Sequence, residues 1–295
     1  MPNSMTGYGR GEYATEDRRI TAEIKSINNR YCDVQIRMPR VLNALEGKVR
    51  DLVTGRLARG KIEVSITYAD NRAQAYQVHC DIGLARAYAD ALRQVAEAAG
   101  SDEQPSASSI VRFNDVLRVE AAQVDPEETW SLLENALQSA IDRILTMRAE
   151  EGSRLAEDMS VRIGLIESER QTIAARAPEI PVLYRERLQA RITELLGERS
   201  AAFVDEQRLA AEVALFADKC SIDEELVRLQ SHLSSFLAIL AEAEPVGKKL
   251  DFLVQEINRE INTIGSKAND LQLTERVVFL KSELEKIREQ VQNLE

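Results

Sequence analysis

Two stretches late in the sequence gather residues whose types and spacing suit chemistry. In DEELVRLQSHLSSFLAIL, residues 223–240, Glu224, Arg228 and His232 follow one another four residues apart. On a helix that spacing puts a carboxylate, a guanidinium and an imidazole on one face, with Leu226, Leu229, Leu233, Phe236, Leu237 and Leu240 as the apolar side. In GKKLDFLVQEINREINTIGSK, residues 247–267, Leu250, Leu253, Val254, Ile257, Ile261 and Ile264 form a buried stripe. Asp251, Gln255, Asn258 and Asn262 line up at its edge within about 60° of arc. Glu256, Glu260 and Thr263 form a second polar row, with Arg259 between the two. A solvated helix face is ordinarily Glu and Lys, and asparagine inside a helix costs about half a kcal/mol relative to alanine. Two asparagines and a glutamine beside an aspartate therefore point to hydrogen bonding. A polar seam between packed helices would also account for them.

The elements that must hold these rows are helical almost throughout after Asp81. IGLARAYADALRQVAEAAG reads as one helix ending at Gly100, and SDEQPSASS as a polar loop. From Pro126 to about Arg176 the sequence is rich in Leu, Ala, Glu and Arg without a further proline, which predicts one or two very long helices. Further helices are expected near 183–197, 205–219, 222–243 and 246–264, with a last one from about 270. The head differs. Ile20, Ala22 and Ile24, then Val34, Ile36 and Met38, then Ile62, Val64 and Ile66 alternate with the period-2 spacing of half-buried strands. Asn28-Asn29 is expected to make a tight turn, since Asn tolerates positive φ. Leu42, Leu45, Val49, Leu52 and Val53 mark a helix between Pro39 and Arg59-Gly60. The predicted class is α+β: a β-β-β-α-β head followed by a predominantly helical body with long helices.

Composition limits the alternatives. A chain of 295 residues with 29% charged and only 5% aromatic residues suits exposed helices rather than a β-sandwich or a membrane protein. No apolar run reaches the roughly 18 residues of a membrane span, and MPNSMTGYGR lacks a signal-peptide core, so a cytoplasmic protein is expected. Cys32, Cys80 and Cys220 are far apart and without metal-site spacing, which reads as three buried thiols in a reducing compartment. The net charge of −11 disfavours a polyanionic partner, yet residues 1–70 carry 12 Lys/Arg against 9 Asp/Glu. A mildly basic head on an acidic body can hold nucleic acid locally.

Several strings in order resemble one known family. SMTGYGR (4–10), EIKSINNRY (23–31) and RGKIEV (59–64) are similar to the N-terminal region of the YicC/YloC family. DEELVRL (223–229) through His232, and GKKLDFL (247–253) through Lys267, are similar to its C-terminal signature. The resemblance implies a bacterial, divalent-metal-dependent endoribonuclease acting on single-stranded or structured RNA, using Mn²⁺ or Mg²⁺. It also implies a ring-like homo-oligomer, a hexamer; other RNA-decay enzymes are candidate partners. On this reading residues 1–125 form the head domain, 126–205 a long-helix connector and 206–295 the C-terminal helical domain. A non-catalytic RNA adapter for another ribonuclease is the alternative, and an oligomeric scaffold without RNA affinity a third.

Cleaving a phosphodiester needs an activated oxygen nucleophile, stabilised charge on the non-bridging oxygens, and a proton or metal for the leaving oxygen. A hard cation takes carboxylate and amide oxygens, so Asp251, Glu256, Glu260 and Glu224 or Glu225 are the candidate ligands. Asp251 points away from Glu256 and Glu260 on an ideal helix, so a second helix or a neighbouring subunit would have to complete such a site. Arg228, Lys249, Arg259 and Lys267 are candidate phosphate contacts. His232 offers a metal-free route as base for a 2′-hydroxyl. In the head, Arg30, Tyr31, Arg59 and Lys61 could give a cationic and aromatic RNA surface. His79 and Trp130 read as structural, and Gly7-Tyr8-Gly9 lacks the rest of a phosphate loop.

Overall fold

The computed structural model describes residues 2–29, 31–72, 76–121, 125–197, 205–242 and 246–295, and 67% of it is helical. The chain has the expected α+β class, a small sheet followed by long helices, and it divides into two compact units.

One unit comprises residues 8–25 and 31–144. Its four-stranded sheet is built from β1 (Gly7–Ala14), β2 (Arg18–Ile27), β3 (Asp33–Arg37) and β4 (Lys61–Asp70), in the order β1-β2-β4-β3. Strand β3 runs parallel to β4, with Val34 opposite Ile62 and Ile36 opposite Val64. A parallel pair needs a crossover. The 3₁₀ turn Arg40–Leu45 and helix α1 (Glu46–Arg56) supply it. This corrects the tight turn expected at Asn28-Asn29: β2 and β3 are not neighbours, so no hairpin joins them. Positive φ among described non-glycine residues occurs instead at Asp115 and Asn269.

The inward side chains of β2 and β4 (Ile20, Ala22, Ile24, Ile62, Val64, Ile66) are buried together with Val49 and Val53 of α1. Helix α4 (Pro126–Arg176) adds Leu133, Leu137, Ile141 and Ile144 from its first turns. Gly9 and Gly11 let β1 lie flat on that helix. A Cβ at either would sit 2.0 Å from the carbonyl oxygen of Ala140 or Ala136. That close approach, rather than a phosphate loop, accounts for the GYGRG string. Trp130 is half-buried under the Lys48 ammonium, 5.4 Å from the ring centroid, as a packing residue.

Two strands escaped the periodicity reading: β5 (Tyr76–Cys80) and β6 (Leu117–Ala121) pair antiparallel, with Val78 opposite Val119. Between them lie α2 (Ile82–Ala98), capped by the Asp81 side chain, and the short α3 (Ala107–Ile110). Cys32 and Cys80 are exposed and only Cys220 is buried, which corrects the expectation of three buried thiols. Cys80 lies on the two-stranded ribbon, which is too small to cover its own side chains.

The other unit comprises residues 1–7, 26–30 and 145–295. Beyond the rest of α4 it holds α5 (Glu179–Leu196), α6 (Glu206–Cys220), α7 (Asp223–Leu240), α8 (Gly247–Lys267) and α9 (Leu271–Val291). The expected apolar stripes are the ones buried. Leu226, Leu229, Leu233, Phe236 and Leu240 of α7 meet Leu250, Leu253, Val254, Ile257, Ile261 and Ile264 of α8 in one core with Leu273, Val277, Leu280, Leu284 and Ile287 of α9. Arg162–Glu283 (2.8 Å), Arg276–Glu169 (2.6 Å) and Arg176–Asp270 (3.4 Å) tie α9 to α4. Among the described residues no helix is long and apolar enough to cross a membrane.

Candidate functional site

Helix α8 carries polar rows on both edges of its buried stripe, and the two edges meet different neighbours. The row Glu256, Glu260, Thr263 continues to Lys267 and faces the α7 side. There Lys267 Nζ lies 2.7 Å from Glu225 Oε1. The row Asp251, Gln255, Asn258 faces α9 instead and lines a cavity of about 490 Å³ with Lys281, Glu285, Arg288 and Gln292.

The groove exists because of how α8 and α9 are joined. Only residues 268–270 separate them, and Asn269 takes the left-handed conformation at φ 41°. Asn bears that region at low cost. Asp270 then caps α9, its carboxylate accepting from Leu273 N–H at 3.1 Å. At this end Gly265 faces Val277 so closely that a Cβ would lie 2.9 Å from Val277 Cγ1. At the far end Gly247 meets the Leu294 carbonyl, 2.7 Å from where its Cβ would be. Between these two approaches the facing side chains are long and polar.

The walls carry two carboxylates, two cations and three amides. Gln255 Nε2 donates to Asp251 Oδ2 at 3.0 Å, which fixes one Asp251 oxygen. Arg288 lies 3.5 Å from Glu285, and Lys281 has no ion-pair partner among the described residues. Such a lining can hold a phosphate on its cations and exchange protons through its carboxylates.

The seam on the α7 side is of another kind. Glu225 is 7% exposed. Burial pushes its carboxyl up, but the Lys267 ammonium, the backbone N–H at the helix start and nearby Arg228 reverse this, so it lies below the ordinary glutamate value. Its second oxygen, Oε2, is buried without a hydrogen-bond partner. Glu260 is also buried.

The sequence candidates are therefore dispersed. Asp251 lines the groove. Glu225 and Lys267 pair in the seam, with Glu256 and Glu260 on the same edge of α8. Glu224 and Arg228 pair with each other on the exposed side of α7, and Lys249 pairs with Glu242 at 2.6 Å. Arg259 is exposed and His232 half-buried, and neither lines the groove. Lys61 belongs to the head unit, 3.8 Å from Glu63, and Arg30 lies outside the described residues. Among the described residues no three His, Cys, Asp or Glu side chains gather as a metal site. The donor set Asp251, Glu225, Glu256 and Glu260 does not fit one ion within one chain, because Lys267 already neutralises Glu225 and Asp251 faces the other way.

Lys281, Glu285, Arg288 and Gln292 were not singled out from the sequence. They repeat the 4-3-4 spacing of Asp251, Gln255, Asn258 and Asn262, and two helices joined by three residues bring such columns face to face. That matched spacing is the signal that could have found them.

Fold and groove together define an α+β protein whose helical unit carries a polar, cation-edged cleft. Two family models match it over most of its length: Endoribonuclease YicC-like, N-terminal region, over residues 3–157, and Endoribonuclease YicC-like, C-terminal, over 173–295. The chain belongs to this YicC-like family. It is 41% identical over 295 residues to the "Probable endoribonuclease YicC" of Clostridioides difficile (strain 630). It is 32% identical over 299 residues to the protein of the same name from Haemophilus influenzae. Both alignments cover 100% of each chain.

Proposed function

We propose that this protein is an endoribonuclease that draws a single strand of RNA into the α8–α9 groove and cuts it there. The observation that supports this most is the convergence of Asp251, Gln255 and Asn258 with Lys281, Glu285, Arg288 and Gln292 around one cavity, in a chain whose full-length relatives are named for that activity. A groove between two packed helices suits a splayed strand, whereas an RNA duplex is recognised from its outside. Lys281 and Arg288 hold non-bridging phosphate oxygens. Asp251 or Glu285 takes the proton of the adjacent 2′-hydroxyl as its oxygen bonds to phosphorus. The bond from phosphorus to the 5′ oxygen breaks, and that oxygen takes a proton from water. The amides of Gln255, Asn258 and Gln292 orient ribose and base edges.

This reading routes no step through Mn²⁺ or Mg²⁺, because the described carboxylates do not assemble a ligand set in one chain. A homo-oligomer, a hexamer in particular, belongs to the same proposal. It would cover apolar side chains exposed on α7, α8 and α9, among them Val227, Phe252 and Val278. A cytoplasmic setting is in keeping with the exposed free thiols of Cys32 and Cys80.

The test is an end-labelled RNA incubated with nuclease-free protein in Mn²⁺, in Mg²⁺ and in EDTA, beside a Lys281→Ala/Arg288→Ala variant. Internal cuts that are lost in the variant are expected. Cutting in EDTA supports the 2′-hydroxyl route, and cutting abolished by EDTA rejects it. RNA that shifts on a gel but stays intact in every arm rejects the nuclease in favour of the adapter.

A further inference from the structure

We infer that Arg148 and the strap of residues 3–5 are positioning elements for the Arg288–Gln292 end of the groove, an inference that rests on the groove reading above. Arg148 is only 4% exposed. Its Nε donates to the Ser4 carbonyl and its Nη2 to the Glu295 carboxylate, while its own carbonyl accepts from Ser4 N–H at 2.9 Å. Residues 3–5 then pair antiparallel with 293–295. Asn3 N–H donates to the Glu295 carbonyl at 3.2 Å and Glu295 N–H to the Asn3 carbonyl at 2.8 Å. Met5 N–H donates to the Asn293 carbonyl at 2.8 Å. The Ser26 hydroxyl fixes the strap by donating to the Met5 carbonyl at 2.9 Å.

The consequence falls on Gln292. Helix α9 ends at Val291, so Gln292 sits where carbonyls run out of intrahelical partners and the backbone frays. The Asn28 side chain takes up that carbonyl, donating from Nδ2 at 2.7 Å, and the strap holds the next three residues. Gly247 closes the other side by letting the Leu294 backbone lie against α8. The body of α9 is anchored separately by its bridges to Glu169 and Arg162, so the clamp acts on the last turn alone. Buried ion pairs are poor sources of net stability, and fixing one geometry is their best-attested use. Arg148 lines no part of the groove. It acts through Ser4 and Glu295 on Gln292 and, one turn back, on Arg288.

The test measures affinity for a fluorescent single-stranded RNA whose 2′-hydroxyls are methylated, so that it binds without being cut by that route. Affinity is followed across a salt series for wild type, Lys281→Ala, Arg288→Ala, Arg148→Met, Glu295→Gln and Asn28→Ala, and for each strap variant combined with Arg288→Ala. Losing one phosphate contact lowers the slope of log affinity against log salt by about 0.7 for a single strand. The expected result is that loss in Arg288→Ala and in the strap variants alike, with no further loss in the combinations. A general loosening of the fold would not reproduce that non-additivity. Should Arg148→Met fail to fold, Asn28→Ala at the surface carries the same reading. Strap variants with the wild-type slope, or effects that add in full to Arg288→Ala, overturn the inference while leaving the groove. Wild-type binding by both Lys281→Ala and Arg288→Ala overturns the groove and this inference together.

Discussion

The two edges of helix α8 solve the same problem in opposite ways. Both border a buried stripe, and both are rich in oxygen and nitrogen. On the α7 edge the carboxylates of Glu225 and Glu260 sink into the packing, and Lys267 holds Glu225 there. On the α9 edge, Asp251, Gln255 and Asn258 keep an open cavity in front of them. Glutamates beside a lysine make a seam, whereas amides beside an aspartate line a space. The difference separates groups that hold the molecule together from groups left available to a ligand, although one helix supplies both.

Substitutions can break or sharpen this contrast. The largest effect is expected for Asp251→Ala, which should slow RNA cutting by about 10²- to 10⁴-fold, the worth of a general base. Its thermal midpoint should stay close to wild type, since Asp251 is only half-buried, as paired kinetic and calorimetric measurements would show. Equal losses of activity and stability would mean that the two edges are alike.

Lys267→Met should behave in reverse. It strands Glu225 without its partner, at a cost of about 2 kcal/mol once the partial exposure of Lys267 is discounted, read as a lower denaturation midpoint. Cutting by the folded fraction should be unchanged. The smallest effect concerns acid. Glu225, Glu283 and Asp158 all lie below their ordinary values, held there by Lys267, by Lys286 and Arg162, and by Arg162 with Gln290. Their stabilisation is complete above the ordinary carboxylate range and is lost as pH falls through the depressed values. Melting temperature should therefore drop on acidification, and Lys267→Met should flatten that drop. An unchanged acid profile would argue against the pairing in the seam.

Much of the helical unit was legible in its sequence because periodic apolar stripes leave few ways to pack. Leu250, Val254, Ile257 and Ile261 had one face to bury, and they bury it. The division of α8 into two polar rows followed from helical geometry. Which row would be closed and which open did not, because that depends on the neighbours. Lys281, Glu285 and Arg288 look like any solvated helix face until the three-residue turn at Asn269 folds them against Asp251. In the head, Asn28-Asn29 carried turn chemistry, but turn chemistry does not name the partner of a strand. Strand β4 inserts beside β2, and Asn28 bonds to Gln292 instead. β5 and β6 were missed because Val78 and Val119 are exposed, so burial imposes no clear alternation on those short strands.

The pairing of residues 3–5 with 293–295 also sets an order of events during synthesis. The sheet unit ends at Ile144, and all the described strands have been made once that residue has emerged. Asn3, Ser4 and Met5 must wait for partners almost the whole chain away. At about 5–20 residues per second that delay is roughly 15–60 s. Until then the Asn3 carbonyl and the Arg148 guanidinium lack Glu295, and Gly247 lacks the Leu294 backbone that lies against it. The groove's far end thus takes shape only after residues 293–295 have been made, well after the sheet unit, so a chain made only as far as α8 lacks Gln292 at the groove.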